Sequence, residues 1–244
     1  MLSIVFHTDD DVRPAAQHFA DRRRTVPLQF IRVRGPSRAA AYNHALDLAV
    51  YPALLFARPD AQLLSPDFLP HLLAHLQRTD LLGITGTLRV SGADWFRSAH
   101  PYLLGQYLYG LPDGRIAHVV FNVPAPFVPN AQALDGPLIA CPLALAKSLR
   151  FDETFTGLNY AEMDFSFRAH LAGHRLAVAC DLPVYLPTPP PHAPDWQSQA
   201  ARFDQKHHHR WQPLPERRFD LRLISLPSLD AALPYLTPAY WTTT

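Results

Sequence analysis

Ser37 to Asp60 reads SRAAAYNHALDLAVYPALLFARPD, and this stretch decides the fold. Ser37 supplies a hydroxyl able to cap a helix, and Ala39, Ala40, Tyr42, Leu46 and Ala49 follow as small and apolar positions of that helix. Ala53 to Ala57 is then a continuous apolar run, the form a strand takes when helices cover both faces of its sheet. The strand runs out into Arg58, Pro59 and Asp60, a polar exit of the kind that carries function.

Working outward, the same alternation repeats on both sides. Leu2 to Phe6 reads as a buried strand leaving into His7, Thr8 and three aspartates. Pro14 to Arg24 has helical spacing, and Leu28 to Val33 is a second strand. Ser65, Pro66 and Asp67 form a helix start, with the helix running to about Arg78. Three strand-then-helix units predict an α/β fold, a central, mostly parallel mixed sheet flanked by helices. Ligands of such sheets bind beyond the carboxyl ends of the strands, which singles out the loops His7–Asp11, Arg34–Ser37 and Arg58–Gln62.

Gly83 to Thr87 reads as a further strand, and Val90 to Pro129 as a long irregular insertion rich in aromatics, glycine and proline, placed as an acceptor-side loop or lid. Ala133 to Ala140 is a strand interrupted by Asp135, Gly136 and Pro137. Asn159 is placed to cap a helix through Phe165, Phe167 and Leu171, with Gly173 stopping it and Arg175 to Cys180 a strand. Prolines gather from Pro183 to Pro194 and again after Pro213, predicting loops or a wrapping tail.

Composition bounds the function. With 48% hydrophobic and 18% charged residues in 244, the chain has the means to fold around a core. A formal charge of +1 provides no field for a nucleic-acid backbone or an anionic membrane surface, so no nucleic-acid partner is expected and any anion is held locally. Two cysteines give no disulfide framework, and no apolar run reaches the roughly 18 residues of a membrane span, so a cytoplasmic protein is expected. Serine-nucleophile, phosphate-loop, dinucleotide and paired-cysteine zinc motifs are absent from the sequence.

Three acids carry the chemistry, each with an ordinary alternative. Asp60, at the ligand edge, suits a divalent cation bridging a diphosphate, or is a solvated loop residue. Glu162 and Asp164 stand at a helix start. Glu162 suits a general base for a sugar hydroxyl, yet Asn159 and Glu162 also have the spacing of a capping box. Asp164 and Arg168 are four apart and able to pair. His207 to His209 cannot converge on one ion and read as a mostly solvated patch, whereas His192, in the proline-rich loop, is a candidate metal ligand.

These stretches together resemble the family 2 glycosyltransferases, specifically the small bacterial branch that includes capsule and streptomycin-cluster transferases. Besides Ser37–Asp60, the likeness rests on LDGPLIA, Leu134–Ala140, and on RFDETFTGLNYAEMDFSFRAHLAGHRLAVA, Arg150–Ala179. It covers about residues 1–210, which sets 211–244 apart as a proline- and aromatic-rich tail, with Tyr235, Tyr240 and Trp241, packing on the domain or forming a homodimer.

The resemblance implies a GT-A fold, a nucleoside diphosphate sugar donor such as a uridine diphosphate sugar, Mg²⁺ or Mn²⁺, and inverting transfer to a saccharide or other hydroxyl acceptor. Surface polysaccharide or secondary-metabolite glycosylation is the implied setting. By position, Asp60 is the closing acid of the metal motif, Glu162 the base and Asp164 its helix partner. Asp135 and Gly136 lie beside the donor sugar or acceptor, and Asp9, Ser37, Ala39 and Asn43 near the nucleotide. Arg58 replaces a residue that in the family is an acid or histidine. Arginine cannot ligate a cation but can neutralise a diphosphate. A non-catalytic nucleotide-sugar-binding or scaffold domain is the alternative that this replacement raises.

Overall fold

The computed structural model describes residues 1–21, 26–94, 102–189, 194–211 and 222–236. The first part of the chain forms strand β1 (Leu2–His7), helix α1 (Arg13–Asp21), β2 (Leu28–Val33), α2 (Arg38–Leu48), β3 (Ala53–Ala57), the two-residue β4 (Gln62–Leu63), α3 (Phe68–Leu76) and β5 (Leu81–Thr87). Next come β6 (Leu103–Gly110), β7 (Ile116–Val120), β8 (Phe127–Pro129), β9 (Ala133–Pro142), α4 (Leu143–Leu149) and α5 (Ala161–Leu171). The chain continues with β10 (Leu176–Ala179), β11 (Val184–Leu186), α6 (Trp196–His207), β12 (Arg222–Leu226) and α7 (Leu229–Ala232).

The principal sheet runs β12-β7-β6-β5-β9-β3-β1-β2. Its β2-β1-β3 end is parallel, while β9 enters antiparallel between β3 and β5, and β6, β7 and β12 continue antiparallel outward. Alternation explains the apolar runs. Along β3, Leu54 and Phe56 join a core cluster with Tyr42, Leu46 and Phe165, while Leu55 and Ala57 join another with Phe19, Phe68 and Leu72. Each large side chain buried this way contributes roughly 1.5–3 kcal/mol relative to exposure. Helices therefore cover both faces, and the carboxyl ends of β1 and β3 remain at one open edge.

Four local expectations change. Helix α3 begins at Phe68 rather than at Ser65, because the Ser65 hydroxyl accepts from Asp67 N at 3.2 Å and closes a turn instead of capping. Part of the expected irregular insertion is strand: β6 and β7 form a hairpin closed at Leu111–Arg115, where Leu111 N donates to Arg115 O at 2.8 Å. Between its prolines the Pro183 segment forms the short strand β11, which pairs with β4 and β6. The first residue before α5 is Tyr160, not Asn159, and its φ of 66° is left-handed.

Beyond Trp211, β12 pairs antiparallel with β7. His192, Tyr240 and Trp241 lie outside the described residues, as does the expected end of the first helix past Asp21. Both cysteines are buried and free. Among the described residues no helix is long and apolar enough to cross a membrane.

Candidate active site

The carboxyl ends of β1 and β3, the start of α2, the start of α5 and the broken middle of β9 surround a cleft of about 720 Å³. Its polar lining is built by His7, Arg38, Tyr42, Arg58, Asp135 and Glu162, and its aromatic and apolar wall by Tyr107, Tyr109, Val119, Phe121 and Leu223. Sheet alternation makes that wall: Tyr107 and Tyr109 are two apart on β6, as Val119 and Phe121 are along β7 and its exit.

Glu162 is the centre of the polar side. Its residue is only 4% exposed, yet the carboxylate does not cap its own helix. Arg38 Nη1 donates to Oε1 at 3.0 Å and the Tyr42 hydroxyl donates to the same oxygen at 3.3 Å. Among the described residues none donates to Oε2. A carboxylate this buried requires charge compensation, and Arg38 provides it. Arg38 in turn is held above its ordinary pKa: burial alone lowers it, but the charge and hydrogen bond of Glu162, together with nearby Tyr42 and Asp135, more than offset that. Burial and the same carboxylate push the Tyr42 hydroxyl upward, so it stays a donor.

Helix α2 is pinned so that Arg38 and Tyr42, one turn apart, face this carboxylate. Ser37 caps it, accepting from Ala40 N at 3.3 Å, and also donates to Phe155 O at 3.1 Å; Arg38 N donates to Gly157 O at 3.0 Å. Asn43 fixes the same loop from its other end, with Nδ2 donating to Phe151 O at 2.9 Å and Oδ1 accepting from Phe151 N at 2.8 Å. His7 donates from Nε2 to Gly35 O at 2.7 Å, and burial, reinforced by nearby Arg38, lowers its pKa. It faces the cleft as a neutral ring.

Asp164 points elsewhere. It is fully buried and does not line the cleft. One oxygen accepts from Arg168 Nε at 2.7 Å, and the other from Lys206 Nζ at 2.6 Å and His207 Nε2 at 2.8 Å. Burial by itself raises its pKa, but these partners win and hold the carboxyl below its usual range. Its role is to anchor α6 beneath α5. His207, expected to be solvated with its neighbours, is buried for this reason, while His208 and His209 are exposed.

The remaining candidates divide in the same way. Arg58, Asp135 and Gly136 line the cleft with Glu162. Gly136 has a φ of 106°, and a Cβ there would collide with Thr85 Oγ1, which donates to Asp135 O. Ser37, Ala39 and Asn43 do not line the cleft. Ser37 and Asn43 are consumed by the clasp just described, and Ala39 is core. Asp9 is exposed in the loop after β1, also off the lining. Arg38 and Tyr42 are the site residues that sequence reasoning missed. Their i, i+4 spacing at the start of a helix facing the ligand edge was the available signal.

A cation such as Mg²⁺ or Mn²⁺ needs hard oxygen donors in a negative local field. Asp60 does not offer that. Arg58 grips it in a fork, Nε to Oδ1 at 2.9 Å and Nη2 to Oδ2 at 2.5 Å, and Thr188 Oγ1 donates to Oδ2 at 3.1 Å. A dication bound there would lie against a fixed guanidinium. Among the described residues no three His, Cys, Asp or Glu side chains are grouped to hold a metal. The residues present do not fit the cation expected at Asp60.

This architecture is a GT-A-like glycosyltransferase fold. No protein-family model and no curated protein sequence matches the chain. Among solved structures, the mannosyltransferase PcManGT from Pyrobaculum calidifontis, in complex with GDP-Man and Mn²⁺, is similar with a TM-score of 0.54 at 12% identity, covering 88% of this chain and 66% of that one. S. aureus TarS 1-349 has a TM-score of 0.48 at 16% identity, covering 87% and 66%. Its complex with UDP has a TM-score of 0.45 at 15% identity, covering 87% and 67%. The chain thus spans about two thirds of the length of these proteins, and at such identities the likeness is one of fold.

Proposed function

We propose that this chain is a glycosyltransferase of the family 2 type, moving a sugar from a nucleoside diphosphate donor to an acceptor hydroxyl with inversion. The observation that carries the reading is the Glu162 carboxylate, buried at the mouth of α5, aligned by Arg38 and Tyr42 and facing a cleft at the ligand edge of the sheet. With Oε1 occupied by two donors, Oε2 is the atom that takes the proton from the acceptor hydroxyl as it attacks the anomeric carbon. In-line attack then expels the nucleoside diphosphate from the opposite face, so the anomeric configuration inverts. Fold likeness to a mannosyltransferase in complex with GDP-Man supports a nucleotide-sugar donor.

Polar groups occupy the side of the cleft nearest the parallel strands, where the donor belongs. The wall of Tyr107, Tyr109 and Phe121 suits the acceptor, offering flat apolar surface to a sugar ring. Residues 211–244 contribute Leu223 to that wall, so the tail works as part of the acceptor side.

The test is turnover of a panel of nucleotide sugars, read as release of the nucleoside diphosphate to water or to added saccharides. Wild-type protein releases it, and Glu162→Gln, folded normally, retains donor binding but loses about two or more orders of magnitude in rate. Full activity in Glu162→Gln overturns the base assignment, and no binding of any nucleotide sugar overturns the transferase reading.

A further inference from the structure

Arg58 is the first residue beyond β3, at the edge where the donor's charged part belongs. Its backbone N–H donates to Pro137 O at 2.9 Å, which ties it to the break in β9, and its side chain lines the cleft at 18% exposure. Asp60 grips Nε and Nη2, and Thr188 Oγ1 accepts from Nη2 at 3.2 Å. The third nitrogen, Nη1, is buried with no hydrogen-bond partner among the described residues. Arg38, lining the same cleft, repeats the pattern: Nη1 is spent on Glu162, and Nε is buried without a partner among the described residues. Buried unsatisfied donors are costly, and two on cationic side chains of one cleft call for an anionic oxygen acceptor.

Resting on the glycosyltransferase reading, we propose that the donor diphosphate is held by guanidinium groups, chiefly Arg58 with Arg38 as the second positive charge, and not by a carboxylate-bound divalent cation. Asp60 is then a positioning residue. It orients the Arg58 fork through both carboxylate oxygens, which is the opposite of its expected role as a metal ligand. A guanidinium is well matched to a diphosphate, being permanently charged and planar, with parallel N–H groups that meet phosphate oxygens. The departing diphosphate carries more negative charge than the bound donor ester, so fixed cations beside it also favour the leaving step. Donor binding and turnover are consequently independent of divalent metal.

The experiment is calorimetric titration of the full chain with uridine, guanosine and adenosine diphosphates, each in EDTA and again with Mn²⁺. The expected result is that at least one nucleotide binds with the same Kd, within about threefold, in both conditions. Arg58→Ala, checked for folding by circular dichroism, weakens that binding in EDTA by roughly tenfold or more, and Arg58→Lys recovers part of the loss. An affinity that rises tenfold or more with Mn²⁺, or an Arg58→Ala protein that folds and binds unchanged, overturns the guanidinium proposal and leaves the transferase reading standing. Absence of binding to every nucleotide in both conditions overturns the two together. Should Arg58→Ala fail to fold, the wild-type comparison between EDTA and Mn²⁺ decides by itself.

Discussion

Arg38 Nη1 and Glu162 Oε1 meet at 3.0 Å although 124 positions separate the two residues in the chain. The contact joins the first residue of α2 to the first turn of α5, and it makes the cleft's carboxylate depend on a cation from another element. Arg38→Met keeps most of the side-chain volume and removes the charge. Glu162 then lies buried without charge compensation. Nucleotide-sugar turnover falls by about tenfold or more while circular dichroism shows the fold retained. Arg38→Lys, which restores a cation, recovers part of the loss, and an Arg38→Met protein that folds and turns over at the wild-type rate would show that the Glu162 carboxylate does not depend on this contact.

Asp164 tests the anchoring of α6. It is fully buried against Arg168, Lys206 and His207, so Asp164→Asn leaves three donors facing a neutral amide. Breaking a buried charge cluster from one side costs about 3 kcal/mol, readable as a lower urea midpoint at pH 7. The pH dependence has a definite sign. The folded-state pKa is depressed, so the stabilisation is fully present above the unfolded value of 3.8 and is lost as pH falls through the folded value. Wild type and variant therefore converge in stability under strongly acidic conditions.

The parallel half of the sheet was legible because β1, β2 and β3 announce themselves as apolar runs followed by helices. The antiparallel half was not. Strand β9 inserts between β3 and β5, partners distant in sequence, and local pattern carries no information about such pairing. The β6–β7 hairpin was hidden for another reason: the turn signal Leu111-Pro112-Asp113-Gly114 lies within an aromatic stretch that reads as a loop. At the site, Asn159 and Glu162 have capping-box spacing, but the left-handed Tyr160 starts the helix one residue later and sends Glu162 across to Arg38. A backbone φ cannot be read from spacing. Arg58 was visible as a departure from a metal motif, whereas its grip on both oxygens of Asp60 required coordinates.

His118, on β7, adds a second source of pH dependence away from the cleft. It is buried, it donates from Nε2 to Gln106 Oε1 at 2.8 Å, and burial lowers its pKa to about 4. Between that value and the ordinary 6.5 of a free histidine, the unfolded chain binds a proton that the folded chain does not, so stability rises with pH across this window. Acidifying from pH 7 to pH 5 costs on the order of 2 kcal/mol from this group alone. His118→Gln, which retains an amide donor toward Gln106, flattens the dependence of the urea midpoint over that range. A wild-type midpoint that does not change between pH 7 and pH 5 would show that the ring titrates normally.

Gly136 links backbone geometry to the cleft directly. Its φ of 106° lies where L side chains are strained, and the direction a Cβ would take is filled by Thr85 Oγ1, which already donates to Asp135 O. Gly136→Ala therefore breaks that hydrogen bond or moves the β9 break that carries Asp135 and Pro137, to which Arg58 is tied through its backbone. The expected cost is roughly 2 kcal/mol in unfolding free energy, together with weaker nucleoside diphosphate binding. Thr85→Ala in the same background separates the two effects: it removes the collision with the hydroxyl, so part of the stability returns, while the left-handed strain remains. If Gly136→Ala alone binds nucleotide as tightly as wild type, the β9 break does not shape the donor end of the cleft.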